Sequence, residues 1–495
     1  MNTPVATEVS TGEVKARALK GLVVLAARTV ASQGLRVVSA LFLSHLLFPA
    51  DYGLFGIVSY AASLGVFLGD LGLSAALVRQ PREPTRDETF TIFWCHQALT
   101  AVIVATVCAL APQLTRGYAL GDAAVPMVWA LSLGLFLSSL RVIPLMALER
   151  QLAFPVIARA ELIENVAQVV TTIGLAALGF GAWALVLGGL VRGVVGLVLV
   201  WWASPWRPGG SFRLDVLKRL LSFGLAFQLP PLVGALAAGW VPLVVGHILG
   251  KEAVGLVNWA WALASTPMML SVVLNRVAFP AYCRLQEDPA GFAAYLRTSL
   301  RRLAAVLLLV IPLVVLVLPV VVPLFFGERW GPAVVLVQWF SLECVLTTLT
   351  SLLATAQNAG GRPWERLAVV VGVGAAKWAV GTWAIQRFGL AGVGPVGVLV
   401  GLAELWVTAW LVARLNPAMR GLVSQVVEPF VTVGLLLAGA CAAAMALVGG
   451  GLARALVGGA VFALLVLARE LLPGTLSLLG ELKDMVGFVR TRALR

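Results

Sequence analysis

The chain has 495 residues, of which 60% are hydrophobic and 12% charged, with a mean hydropathy of +0.96; soluble proteins carry about a quarter charged residues. An ordinary soluble enzyme or binding domain is thereby excluded, and 50 Gly with 16 Trp fit helices that pack closely in a bilayer and anchor at its surfaces. The net charge of +13 does not indicate nucleic acid, because no basic cluster alternates with stacking aromatics on a soluble segment.

Met1–Lys20 is polar and mixed in charge and reads as a cytoplasmic tail. The apolar run after it exceeds signal-peptide length and lacks a cleavage site. At about 20 apolar residues per crossing, polar and Gly/Pro-rich breaks predict an all-α polytopic membrane protein of about 14 transmembrane helices. The predicted spans are 21–47, 53–79, 89–111, 123–148, 156–180, 182–204, 220–249, 253–281, 303–326, 332–357, 365–388, 390–415, 427–449 and 452–472. They group as a first six-helix lobe (21–204), a basic cytoplasmic linker (205–219), a second lobe (220–415), two further helices (427–472) and an amphipathic cytoplasmic tail (473–495).

Orientation follows from the loops, since cytoplasmic loops collect Lys and Arg. Alternate connections hold 24 basic residues on one side, including Arg79, Arg82, Arg86, Arg207, Arg213, Lys218 and Arg219, against 5 on the other: Arg116, Lys251, Arg329, Arg387 and Arg454. Both termini are therefore expected in the cytoplasm. The outer connections are too short to hold a catalytic domain. Leu285–Arg302 reads as an amphipathic helix lying on the membrane surface, with Phe292, Leu296 and Leu300 on one flank and Arg297, Arg301 and Arg302 toward headgroups.

The chain repeats itself weakly. The turn at Pro49–Phe55 has a counterpart at Gly250–Val257, and Gly179–Trp183 has one at Phe388–Val393, both about 200 residues on. Two lobes of parallel topology follow, the architecture of many secondary transporters. Pro230 and Pro231 are expected to break the seventh span early and to act as a hinge.

The five cysteines (Cys95, Cys108, Cys283, Cys344, Cys441) form no CxxC pair, so no disulfide framework, zinc or iron–sulfur site is indicated. No Lys precedes Ser or Thr, so there is no Walker A loop. His45, His96 and His247 are far apart, which favours interfacial or packing roles. The informative residues are charges inside spans, where each costs roughly 3 kcal/mol unless paired or hydrated.

Arg28 and Arg36 share one face of the first span with Ser32 and Ser39, a cationic stripe suited to an anion. Asp70 lies at the depth of Arg28, and an Arg28–Asp70 pair would leave Arg36 as the freer ligand. Arg276, preceded by Asn275, reads equally as a cavity cation facing Arg28 across the lobe interface and as a snorkelling arginine; Arg141 has the same ambiguity. Glu343 and Lys377 are expected to pair. Glu404 either pairs or binds a coupling cation, and Glu161 and Glu164 either pair with Arg159 or Arg192 or relay protons.

Five segments carry a resemblance: Leu47–Phe55, Leu68–Gln80, the Leu148–Phe154 loop with Glu161, Gly181–Val186, and Gln357–Pro363. In their order along nearly the whole chain they resemble the Wzx-type oligosaccharide flippases, the polysaccharide-transporter branch of the multidrug/oligosaccharidyl-lipid/polysaccharide (MOP) exporter superfamily. The resemblance implies a flippase and not an enzyme. It would move undecaprenyl-diphosphate-linked oligosaccharide across the bacterial cytoplasmic membrane by alternating access, for surface or exopolysaccharide synthesis. It also implies a cationic cavity between two lobes. Related lipid II flippases use cavity arginines of the first and eighth helices, corresponding loosely to Arg28, Arg36 and Arg276. A monomer without cofactor is expected, apart from Na+ or H+ as coupling ion, with the polymerase and glycosyltransferases of the same pathway as partners. The alternatives are a MATE-like exporter of small molecules, which calls for an acidic cavity, and a membrane glycosyltransferase or ligase, which calls for a large outer loop or a carboxylate/His constellation.

Overall fold

The computed structural model describes residues 11–74, 77, 83–151, 153–265 and 268–419. The predicted spans 427–449 and 452–472 and the tail 473–495 lie outside them. Among the described residues every regular element is a helix. In chain order these are α1 (Thr11–Leu46), α2 (Pro49–Asp70), α3 (Arg86–Gly117), α4 (Val125–Leu140), α5 (Val142–Arg150), α6 (Phe154–Ala177), α7 (Ala182–Ala203), α8 (Leu214–Ala238), α9 (Gly246–Ala264), α10 (Met269–Arg284), α11 (Pro289–Phe326), α12 (Ala333–Ala359), α13 (Pro363–Phe388) and α14 (Val393–Leu415). Seven stretches of the described residues are long and apolar enough to cross a membrane, the longest being Pro363–Leu415 with two helices in it. The protein is a multi-pass, all-α membrane protein.

Helix starts follow local chemistry. Thr85 caps α3 by accepting from the Glu88 amide at 3.3 Å while the Glu88 carboxylate accepts from the Thr85 amide at 2.9 Å. Proline occupies the first turn of α2, α4, α6, α11 and α13, where its missing N–H leaves no hydrogen bond unmade. Asp51 does double duty: one carboxylate oxygen accepts from the Phe48 amide at 2.9 Å, the other from the Ala182 amide at 3.1 Å. The Pro49–Phe55 turn is thereby tied to the start of α7.

The repeat is visible in backbone geometry. Gly181 before α7 has φ 53, ψ −132, and Gly389 after α13 has φ 56, ψ −139. Likewise Gly121, ahead of α4, has φ 82, ψ 159, and Gly327, ahead of α12, has φ 92, ψ 156. Such positive φ values favour glycine, so the same turns recur at matching places in the two halves.

Packing divides the chain into two compact units, Met1–Gly255 and Leu256–Arg495. Their boundary lies beyond the 205–219 linker, because α8 and the start of α9 pack along α2. Tyr60 Oη donates to the Ala235 carbonyl at 3.2 Å. A Cβ on Gly224 would meet the backbone of Leu71 and Gly72. The linker itself is fastened to the start of α3: Trp94 Nε1 donates to the Gly209 carbonyl at 2.7 Å, Trp206 Nε1 to Thr89 at 3.1 Å, Ser211 to Asp87 at 2.7 Å and the Arg213 amide to Thr91 at 3.0 Å.

In the second unit α12 is the central helix. Leu349, Leu352, Leu353 and Ala356 pack in one core with Tyr282 of α10, Leu296 and Leu300 of α11, and Val412 of α14. Here the expectation of a surface helix at 285–302 is overturned. Phe292, Leu296 and Leu300 are buried in protein, Arg297 donates to the Ala418 carbonyl, and α11 runs unbroken to Phe326. The apolar flank found a protein core to bury in, so it needs no bilayer surface.

Three span boundaries also differ from expectation. The second span is broken after Asp70, where Leu71 and Gly72 both take positive φ beside Gly224, and helical residues resume at Leu73 and Ser74. The fourth is interrupted at Arg141, between α4 and α5. Pro230 and Pro231 do not end the seventh: α8 runs through them to Ala238, and wide π-helical turns follow at Trp240–Val245. Such turns are rare and interrupt regular hydrogen bonding.

Candidate functional site

The first unit holds a polar seam between α1 and α6. Arg28 forms an ion pair with Glu161, and Asn165, one turn further along α6, donates to Ser32 Oγ at 3.3 Å. The two contacts share one register, an offset of 133 residues. Carried one turn further, that register sets Arg36 against Val169, which offers no acceptor. Arg36 is exposed and has no ion pair among the described residues.

Deeper in the same unit, Glu164 is 2% exposed and holds two arginines, Arg141 at 2.6 Å and Arg192 at 3.3 Å. Gly196 makes room for this group, since a Cβ there would overlap the Glu164 carboxylate and the Arg141 guanidinium. Arg141 can reach inward because α4 stops just before it.

Several expected pairings are thus redistributed. Arg28 pairs with Glu161 rather than with Asp70, whose carboxylate accepts from the amide and the hydroxyl of Ser74 and closes the end of α2. Of the partners proposed for Glu161 and Glu164, Arg192 is found on Glu164, whereas Arg159 donates to the Pro155 carbonyl. His96 is buried, and His247 stands edge-on to Tyr118 with ring centroids 6.1 Å apart.

In the second unit Lys377 Nζ donates to the buried Glu343 at 2.5 Å, as expected. Gly397 clears space for that carboxylate. Glu404, the alternative seat for a cation, accepts from Arg366 at 2.9 Å. Asn275 donates to Ser351 at 3.2 Å, and Arg276 follows it on α10.

Charge separates the two clusters. The seam and the Glu164 site carry four arginines (Arg28, Arg36, Arg141, Arg192) against Glu161, Glu164 and the neighbouring Glu149, whose charge interacts with Glu161. In the second unit Lys377 and Arg366 are balanced by Glu343 and Glu404. Uncompensated cations at membrane depth raise the local concentration of anions. Sequence reasoning missed two participants: Asn165, signalled by its i,i+4 spacing from Glu161 opposite the same spacing of Arg28 and Ser32, and Arg366, which pairs with Glu404 from the start of α13.

The chain has the fold of solved MOP superfamily transporters. A solved structure of the lipid II flippase MurJ, inward closed, superposes with a TM-score of 0.67 at 12% identity, covering 90% of this chain and 98% of that one. An inward-facing multidrug resistance MATE family transporter of the MOP superfamily superposes with a TM-score of 0.62 at 18% identity, over 81% and 99%. At those identities the likeness concerns the fold.

The family described as "Polysaccharide biosynthesis protein" matches residues 42–335, more than half of the chain, and the chain belongs to that family. It is similar to the teichuronic acid biosynthesis protein TuaB of Bacillus subtilis, 24% identical over 73% of this chain and 75% of that protein. It is also similar to the lipopolysaccharide biosynthesis protein WzxC of Escherichia coli, 28% identical over 66% and 65%. The resemblance to the Wzx-type flippases therefore holds at the level of family and fold.

Proposed function

We propose that this chain is a secondary transporter, not an enzyme, that flips undecaprenyl-diphosphate-linked oligosaccharide units across the bacterial cytoplasmic membrane by alternating access. The observation that carries the reading is the surplus of arginine over glutamate around the α1–α6 seam, ending at Arg36, which has no ion pair among the described residues. A diphosphate matches a guanidinium in charge and in paired hydrogen-bond geometry. Arg28, Arg36, Arg141 and Ser32 are the proposed substrate-binding residues of the first unit, and Asn275 and Arg276 are those proposed for the second. Membrane potential or a Na+ or H+ gradient drives the cycle, and both termini face the cytoplasm. The product feeds a polymerase acting on the outer face.

The test is glycan export in a strain that depends on this protein. Arg36→Ala and Arg276→Ala are each expected to abolish export while leaving membrane levels intact. Full export with both alanines in one chain would overturn the reading.

A further inference from the structure

The geometry points to Glu161 as a displaceable counter-charge that occupies Arg28 until a phosphate oxyanion of the substrate takes its place. The inference rests on the flippase reading and adds a residue that governs how tightly the anion is held.

Two carboxylates on α6, three residues apart, meet arginines in contrasting ways. Glu164 is 2% exposed and engages two guanidinium groups, the mark of a permanent structural anion. Glu161 engages a single nitrogen of Arg28, and the two side chains are 33% and 28% exposed. A part-exposed pair that water can reach is held weakly. Exchange of one oxyanion for another on the same guanidinium is then close to balanced, and a diphosphate has the advantage of higher charge. Arg28 also has donor capacity in reserve, since its Nε is buried without an acceptor.

The seam shows where the anion would go next. Ser32 and Asn165 form a neutral step beyond the Arg28–Glu161 pair, and Arg36 follows with no carboxylate opposite it. Eight helical residues separate the two arginines, a rise of about 12 Å. Once displaced, Glu161 stays tethered beside the phosphate and repels it, while Arg36 attracts it without competition. Glu161 thus weakens holding at Arg28 and favours onward transfer. Removal of its charge should tighten binding and slow turnover, because an anion bound more tightly at an intermediate step leaves that step more slowly.

Inorganic pyrophosphate, titrated calorimetrically into the full-length protein in nanodiscs at fixed ionic strength, is the probe. Glu161→Gln is expected to tighten its Kd about threefold or more and to slow glycan export in cells. The double variant Arg28→Ala/Glu161→Gln is expected to lose the gain in affinity. Glu161→Asp, which withdraws the carboxylate by one methylene, shifts Kd in the same direction by less and serves if the glutamine variant does not fold. An unchanged or weaker pyrophosphate affinity in both Glu161 variants, with binding still lowered by Arg36→Ala, overturns the displaceable counter-charge and leaves the flippase reading standing. Pyrophosphate binding that is absent throughout, or indifferent to both Arg28 and Arg36, overturns the two together.

Discussion

Gly53 and Gly255 meet backbone to backbone in a reciprocal contact: a Cβ on Gly53 would strike the Lys251 carbonyl, and a Cβ on Gly255 would strike the Pro49 carbonyl. The two glycines hold the same place in the repeated turns Pro49–Phe55 and Gly250–Val257, and each meets the residue that corresponds to the other's neighbour four positions back. Glycine is needed for the approach and not for its torsion angles, since neither takes a positive φ. The contact fixes one end of α2 against the start of the eighth predicted span, and the Gly72–Gly224 approach fixes the other end of α2 against α8.

Substitution at this contact should be felt in proportion to the volume added. Gly53→Val is expected to destabilise by about 1–3 kcal/mol through overpacking against a carbonyl that cannot move aside. It should lower the thermal midpoint of the detergent-solubilised protein. Gly34→Ala, at a place where a Cβ meets nothing within 4 Å, serves as the control and should leave the midpoint unchanged. Equal behaviour of the two variants would refute the close approach.

Glu164 is the buried anion that Arg141 and Arg192 share. Glu164→Gln removes the charge and leaves both part-exposed arginines without their carboxylate, a loss of about 1–3 kcal/mol. Quantitative blotting of membrane fractions should show reduced abundance. The addition of Arg141→Gln should restore part of it, because the double variant removes one of the stranded cations; no restoration would argue against the pairing.

The Glu343–Lys377 pair calls for a different pattern. Lys377→Met alone leaves the buried Glu343 carboxylate unpaired and should destabilise the protein, whereas Glu343→Gln/Lys377→Met should return the thermal midpoint close to wild type. Export by the double variant then separates packing from transport. Normal export identifies the pair as structural, and a stable but inactive double variant assigns it to the transport cycle.

Asp51 joins two turns through one carboxylate, and each capping bond of this type contributes about 1 kcal/mol. Asp51→Ala breaks both bonds, to Phe48 and to Ala182. Hydrogen exchange should quicken at the start of α7 as well as at the start of α2; an effect confined to α2 would show that the link to Ala182 contributes nothing.

The sequence by itself determined the class of protein, most of the helices among the described residues, the repeat and the turn glycines. These depend on local properties: apolar run length, and proline and glycine at breaks. Opposite charges at one depth on successive spans also pointed to the Glu343–Lys377 pair, but the same signal pointed equally to Arg28–Asp70, which does not form. Depth in a bilayer is one coordinate, read directly from position along a span. The direction a side chain takes around its helix, and the register between helices distant in sequence, are set by packing. On depth alone Asp70 matched Arg28; the parallel seam of α1 and α6 gave Arg28 to Glu161 instead and left Arg36 exposed. The tertiary structure likewise buried Phe292, Leu296 and Leu300 in the second unit, because an apolar flank marks a surface to be covered without saying whether lipid or protein covers it.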